Sequence, residues 1–261
     1  MEYLVVSSVA LLASALSLFS GFGLGTILLP AFALFFPVPV AVASTAVVHL
    51  ANNIFKVGLV GRQANRDAVV RFAIPAGVAA LVGAALLGLF AAMPALASYS
   101  LGGQTHQVTW VDLVIGAVII GAAFVELIPR FQTLAFDRKY LPLGGLFSGF
   151  LGGLSGNQGA LRSAFLIKVG LSTPAFIGTT TVSAVIVDVA RLLVYGLTFY
   201  ATQFVVLRSD MGGLILAATL SAFLGSFLGA RLLKKVTLRA IQVIVGVMLL
   251  LIGVGMVVGL V

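Results

Sequence analysis

Apolar residues run along the chain in blocks close to the ~20 residues that a membrane-spanning helix needs. The blocks are Leu4–Phe19, Ile27–Phe36, Val40–Val60, Phe72–Phe90, Trp110–Leu127, Leu141–Leu151, Ala160–Val169, Pro174–Tyr200, Met211–Leu233 and Ile241–Val261. Polar punctuation between them is of two kinds. Basic loops lie at Gly61–Arg71 (Arg62, Arg66, Arg71) and Pro129–Tyr140 (Arg130, Arg138, Lys139), with a third basic cluster at Arg231, Lys234, Lys235 and Arg239. Glycine-rich breaks lie at Ser20–Gly25 and Gly152–Arg162. The second break holds four glycines, and each glycine costs about 1 kcal/mol in a helix relative to alanine. An unwound backbone at membrane depth is tolerated only where protein buries it or it lines a cavity.

The two breaks suggest that the chain repeats itself. A shift of 135 residues lays Ser20-Gly21 on Ser155-Gly156, Pro39 on Pro174, and Ser44-Thr45 on Thr179-Thr180. It also lays Asn53 on Asp188, Lys56 on Arg191 and Gly61 on Gly196. The chain therefore reads as one transmembrane domain over 1–261, with repeats of about 1–135 and 136–261.

Charge orients this plan, because Lys and Arg collect in cytoplasmic loops. All three basic clusters belong inside, and the loops at 91–109 and 203–210 outside. If Leu4–Phe36 and Leu141–Val169 each crossed once, one cluster would fall outside. If each enters and returns as a broken hairpin, every cluster stays inside. Each half then has three full crossings, the repeats are inverted, and both termini are extracytoplasmic. The expected fold is an all-α polytopic membrane protein of about eight hydrophobic segments, built as two inverted repeats, each a glycine-broken helical hairpin plus three spanning helices.

Composition sharpens the class. Apolar residues make up 61% of the chain and charged residues 8%, against roughly 25% charged in soluble domains. Porin-like alternation in segments of about ten residues is absent. With no cysteine and only His49 and His106, neither a disulfide framework nor a thiolate or histidine-rich metal site is expected, and no cofactor is implied. The net charge of +8 follows from the positive-inside rule, and no nucleic-acid partner is expected. Met1-Glu2-Tyr3 lacks a basic n-region, so the first block reads as a retained helix.

Candidate chemistry gathers at the breaks. Paired breaks in corresponding halves point to a transporter's binding site. A charge at bilayer depth costs at least ~2.5–3.5 kcal/mol and is functional by default. Arg162 is such a charge, with a planar donor fork suited to an oxyanion. The helix start near Gly159 adds free N–H groups and a positive dipole end. The expected substrate-binding set is Arg162, Ser155, Gly156, Asn157, Gln158 and Gly159 from the second break, and Ser20, Gly21, Gly23 and Gly25 from the first. Thr45, Thr180 and Asn52 complete the wall. Asp188 and Arg191, spaced i, i+3, can pair on one helix face. With their repeat mates Asn53 and Lys56 they are the candidates for ion coupling or gating. Asp188 is the deep acid that could carry a proton, and Lys56 could snorkel from its helix end. Glu126 and Arg130 are read as a surface pair.

At the breaks the chain resembles the sulfite exporter TauE/SafE family. Members carry a glycine-rich break near the start of each half, then an apolar arm, then a small-Thr step. Here these are Gly21-Phe22-Gly23-Leu24-Gly25 with Pro30 and Ala43-Ser44-Thr45, then Gly153–Gly159 with Gly178-Thr179-Thr180. The second break departs from the commoner all-glycine form in having Asn157-Gln158. The resemblance implies an inner-membrane carrier of sulfite, sulfoacetate, sulfonates or related anions.

Two rival classes remain at this point. Gly153-Leu154-Ser155-Gly156 spells the G-x-S-G of rhomboid intramembrane proteases, a mechanism that needs a histidine within hydrogen-bond reach of the serine. In rhomboids that histidine follows the serine, whereas His49 and His106 precede it. A passive anion channel would require a continuous polar lining, which the pattern does not show.

Overall fold

Each apolar block contains a helix in the computed structural model, which describes residues 1–17, 24–198, 211–232 and 238–260. The first half comprises α1 (Glu2–Ser17), α2 (Leu24–Ala33), α3 (Val38–Val60), α4 (Arg66–Ala91) and α5 (Trp110–Leu127). A short α6 (Pro129–Gln132) leads to α7 (Leu141–Ser155), α8 (Gly159–Leu166), α9 (Thr173–Thr198), α10 (Met211–Leu232) and α11 (Leu238–Val257). Among the described residues, α3, α4, α5, α9 and α10 are long and apolar enough to cross a membrane. The protein is thus a mostly helical polytopic membrane protein.

Local signals explain the helix ends. Pro37 precedes α3 and Pro39 lies in its first turn, where a missing N–H costs nothing. The α4 helix starts earlier than its apolar block because Asn65 caps it, accepting from the Ala68 N–H at 2.9 Å. Arg66 and Arg71 therefore ride on helix and not on loop. Thr109 and Asp112 form a reciprocal capping box at the start of α5. The segment expected as the 91–109 loop contains a β-hairpin, β1 (Ala97–Leu101) paired antiparallel with β2 (Gln104–Val108). Gly102 and Gly103 turn it, both at positive φ.

Burial is inverted relative to a soluble protein. Ser44, Thr45, His49, Asn52, Asn53, Asp188 and Arg191 are buried, while Ile74, Val78, Leu216, Leu220 and Leu224 are exposed. Such exposed leucines suit a lipid surround, where association rests on close packing of small residues. Along α7, a β-carbon at Gly145, Gly149 or Gly153 would lie 2.2, 2.0 or 2.1 Å from the carbonyl oxygens of Phe72, Ala76 and Ala80 on α4. Contact advances along both helices together, so α4 and α7 run parallel. The α1–α10 pair is parallel by the same argument, with Leu11 against Gly225 and Ala15 against Gly229. Two further pairs are antiparallel. In one, α5 meets α11 through Gly116–Gly253 and Leu127–Gly246. In the other, α3 meets α9 through Val60–Gly178 and Asn53–Asp188.

The second glycine break is shorter than expected. Gly152 and Gly153 remain inside α7, where the lack of a side chain at Gly153 lets α4 approach and that at Gly152 leaves room for Val187 of α9 and for Gln158. Only Gly156 takes the left-handed conformation, at φ +82°, and caps α7. Beyond it α8 doubles back along α7. The Phe136 N–H donates to the Ala164 carbonyl at 3.0 Å, and the rings of Phe136 and Phe165 stack at 4.2 Å. Lys168, just past α8, pairs with Asp137, just before α7, at 3.7 Å. The segment thus enters and returns to the same end.

That end also carries the basic loops, since Arg138 bonds Asp67 at 2.8 Å across the first two of them. At the opposite end the β-hairpin holds the residues just past α11. Tyr99 Oη donates to the Val258 carbonyl at 2.5 Å, and His106 Nδ1 lies 3.2 Å from the Gly259 carbonyl.

Candidate functional site

The tip of the α7–α8 hairpin is built from residues 155–159. Ser155 Oγ donates to the Leu151 carbonyl (3.0 Å) and accepts from the backbone N–H (3.3 Å) and side-chain amide (3.2 Å) of Asn157. Ser148 Oγ holds the Gln158 carbonyl at 3.1 Å. The start of α2 reaches this tip. A β-carbon at Gly25 would sit 3.3 Å from the Gly156 carbonyl oxygen and 3.7 Å from Thr45 Cγ2. The two hairpins therefore touch at the ends that follow their breaks, beside α3. Ser20, Gly21 and Gly23 lie outside the described residues.

Six buried side-chain atoms have no partner among the described residues: Ser44 Oγ, Thr45 Oγ1, Asn157 Oδ1, Gln158 Nε2, and Nε and Nη1 of Arg162. They follow the contact between the hairpins. Thr45 touches Gly25, Asn157 and Gln158 follow Gly156, and Arg162 lies one turn into α8. Arg162 is 7% exposed and forms no ion pair among the described residues. Burying polar groups without partners costs roughly 1–3 kcal/mol each, and more for a charge. A cavity of about 220 Å³ adjoins the tips. Thr26, Asn157 and Gly159 line it together with Val118, Ala122 and Glu126 of α5. Glu126 is buried, contrary to its expected place in a surface pair, because it faces this cavity and not the exposed Arg130.

A second polar group joins α3 to α9. Oδ2 of Asp188 accepts from His49 Nδ1 at 2.6 Å and from Asn53 Nδ2 at 3.1 Å. Oδ1 of Asp188 accepts from Arg191 Nε at 3.0 Å and Nη2 at 2.7 Å. Arg191 Nη1 continues to the Gly152 carbonyl at 3.4 Å, and a β-carbon at Gly156 would meet it at 2.7 Å. Tyr195 Oη donates to the Gly153 carbonyl. The expected i, i+3 pair is therefore real, and it also pins the end of α7.

The remaining expected residues lie elsewhere. Asn52 belongs to a serine cluster between α1, α3 and α10, where Ser14 Oγ and Ser226 Oγ are 2.6 Å apart. With its amide oriented to match its neighbours, Asn52 donates to Ser226 Oγ (2.8 Å) and accepts from Lys56 Nζ (3.3 Å). Lys56 is buried, at 6% exposure, and donates to Ser17 Oγ at 2.8 Å, so it does not snorkel. Thr180 Oγ1 donates to its own helix at the Ile177 carbonyl, 2.9 Å away. Its neighbour Thr179 accepts from the Asn65 N–H at 2.9 Å, which ties this stretch to the α3–α4 turn and not to the hairpin tips.

Sequence reasoning missed His49, Ser44, Tyr195 and the cavity face of α5. His49 and Asn53 are spaced i, i+4, a visible signal that they share a helix face. Nothing in the sequence showed that this face meets Asp188.

This geometry removes the hydrolase chemistry. The hydrogen bonds of Ser155 go to Leu151 and Asn157, His49 is committed to Asp188 and Asn53, and His106 sits on the β-hairpin. Comparison with curated proteins and with solved structures returns no significant match. A family model described as sulfite exporter TauE/SafE matches residues 6–256. With nearly the whole chain matched, the chain belongs to the TauE/SafE sulfite exporter family, a family of membrane transporters and not of enzymes.

Proposed function

We propose that the protein exports sulfite or related organosulfur and organic anions, held between the two hairpin tips near the bilayer midplane and released by alternating access. The observation that carries this reading is the set of unpartnered buried atoms of Ser44, Thr45, Gln158 and Arg162 around the contact of Gly25 with Gly156. These groups are donors, one of them a guanidinium, and an oxyanion satisfies them together. The first-turn N–H groups of α8 at Gly159 and Ala160, which have no intrahelical acceptor, add to the same field. Ser155 and Asn157 shape the tip.

The packing supports a two-repeat machine. Under the 135-residue shift α1 corresponds to α7, α3 to α9, α4 to α10 and α5 to α11. The parallel α4–α7 pair then has its counterpart in the parallel α10–α1 pair. Helices that pack on their own counterparts, α3 on α9 and α5 on α11, run antiparallel, as a two-fold axis in the membrane plane requires. Asn53 and Asp188 are 135 residues apart and share a hydrogen bond, so this axis passes between them. Inverted repeats of this kind rock about a midplane site. Asp188, Arg191, Asn53 and His49 act in this reading as the pivot between the halves. Export of a monoanion gains ~2.3 kcal/mol per 100 mV from an inside-negative potential and needs no co-ion.

The test is flux from proteoliposomes over a panel of sulfite, sulfonates and simple carboxylates. Arg162→Lys keeps the charge but loses the fork, so binding weakens without vanishing. Arg162→Ala abolishes binding while the protein still inserts and purifies. Parent-like transport by Arg162→Ala would show that the site is elsewhere.

A further inference from the structure

We infer that Glu126 is a specificity-determining residue of the anion pathway: it shares the cavity by which the anion reaches the hairpin tips, and it takes up a proton when the anion enters. The inference rests on the anion-site reading above and deepens it. Glu126 lies in the last turn of α5, just before the second basic loop, and is only 6% exposed. It lines the cavity of about 220 Å³ together with Asn157 and Gly159 of the tip and Thr26 of α2. That volume is several times the ~30 Å³ share of a water in the liquid, so a small oxyanion fits. Burial shows which side of the tips is approachable. All ten residues of α2 are buried, whereas α8 is buried only at Gly159, Arg162, Phe165 and Leu166. The half-buried Ala160 and Leu161 of α8 line the cavity opposite α5.

The chemistry of the lining decides what can enter. Among the described residues, Glu126 is the one ionisable side chain that lines the cavity, and Asn157 Oδ1 is buried there as an unpartnered acceptor. An ionised carboxylate only accepts hydrogen bonds, as do the oxygens of an oxyanion. In one cavity walled by Val118, Ala122 and Val125, two such anions repel with little water to screen them. Protonation removes that repulsion and makes Glu126 a donor as well. Anion and proton therefore favour each other's binding, and by the same factor. The 135-residue shift lays Glu126 on Val261, so this carboxyl belongs to one half only. The other charges around α5 are few. α2 and α7 carry none, α8 carries Arg162, α6 the exposed Arg130, and α11 Arg239 in its first turn. On α3, His49 is bonded to Asp188 and Lys56 to Ser17. The start of α4 carries Arg66, Asp67 and Arg71, with Asp67 bonded to Arg71 and Arg138. Asp112 caps the far end of α5.

The experiment measures binding of methanesulfonate, whose own charge does not titrate, to the purified full chain from mildly acid to mildly alkaline pH. The parent's Kd should rise with pH, approaching about tenfold per pH unit where one proton is taken up per anion. Heats measured in buffers of different ionisation enthalpy should show that proton. Glu126→Gln keeps a neutral donor, and its Kd should be flat with pH and near the parent's acid value, with no proton uptake. A second measurement needs no change at Glu126. The chain has no cysteine, so in Ala122→Cys a negatively charged thiol reagent reports the cavity alone. Methanesulfonate should slow that labelling, by a larger factor at acid than at alkaline pH. A pH-independent parent, an undiminished pH dependence in Glu126→Gln, or labelling that saturating methanesulfonate does not slow overturns the inference. Arg162→Ala separates the two readings. If it abolishes binding while the parent binds equally at every pH, the anion site stands and Glu126 has no part in it. If Arg162→Ala binds as the parent does, or the parent binds no methanesulfonate at any pH, the site reading fails and this inference fails with it.

Discussion

Asp188 accepts four hydrogen bonds from three side chains, His49, Asn53 and Arg191, and is fully buried. The sequence offers it as a proton carrier. Its surroundings favour a different job, because every bond it accepts stabilises the charged carboxylate. Asp188→Asn leaves the Arg191 guanidinium buried without its counter-charge, a loss of roughly 3–5 kcal/mol for a broken buried pair. Its expected phenotype is a low yield of monodisperse protein and a lowered melting temperature in detergent. His49→Ala removes one neutral donor and should cost less, about 1–3 kcal/mol. If Asp188→Asn instead purifies normally, loses the pH dependence of transport and keeps counterflow exchange, then Asp188 is a proton carrier after all.

At the scale of elements, glycine has two jobs that look alike in a sequence. The run from Gly152 to Gly159 reads as one long break, yet only Gly156 needs a left-handed backbone. Gly153, like Gly145 and Gly149 before it, serves the α4–α7 seam, where carbonyl oxygens stand about where a side chain would begin, and Gly152 makes room for Val187 of α9 and for Gln158. Which job a glycine does depends on a partner helix, and no local pattern names that partner. Helix positions, the hairpin shape of the break and the Asp188–Arg191 pair were legible, because hydropathy, glycine content and i, i+3 spacing are local signals. The β-hairpin at Ala97–Val108, the burial of Lys56 and the meeting of His49 with Asp188 were not, because each depends on residues distant in the chain. Gly149→Leu should therefore prevent α4 and α7 from closing and yield aggregated or misfolded protein. Gly58→Ala, on an open face of α3 with no neighbour within 4 Å, should melt at the parent temperature or gain the ~0.5–1 kcal/mol that alanine brings to a helix. Equal behaviour of the two variants, read by size-exclusion profile and thermal melting, would show that the seam is not needed for folding.

For the whole molecule, the decisive quantity is which end of each helix faces the cytoplasm. The first two basic loops meet through Arg138 and Asp67, and the α7–α8 hairpin opens at that same end through Lys168 and Asp137. Lys and Arg concentrate on the cytoplasmic side, so this end is predicted to be inside. Helix directions then set the rest. α3 descends and α4 climbs to the β-hairpin, which contains no Lys or Arg. α9 is antiparallel to α3 and climbs, α10 descends, and α11 climbs to place Val258 and Gly259 against Tyr99 and His106 of the β-hairpin. The parallel packing of α1 with α10 sends α1 inward from the outside. Both termini are therefore predicted to be extracytoplasmic, together with the 203–210 segment. Reporter fusions at Val261 and within 203–210 should read as extracytoplasmic, and one within 133–136 as cytoplasmic. A cytoplasmic signal at Val261 would break the link between α11 and the β-hairpin, and a cytoplasmic signal at 203–210 would require α9 to run parallel to α3. Either result would end the hairpin arrangement and, with it, the inverted repeat on which a shared midplane site depends.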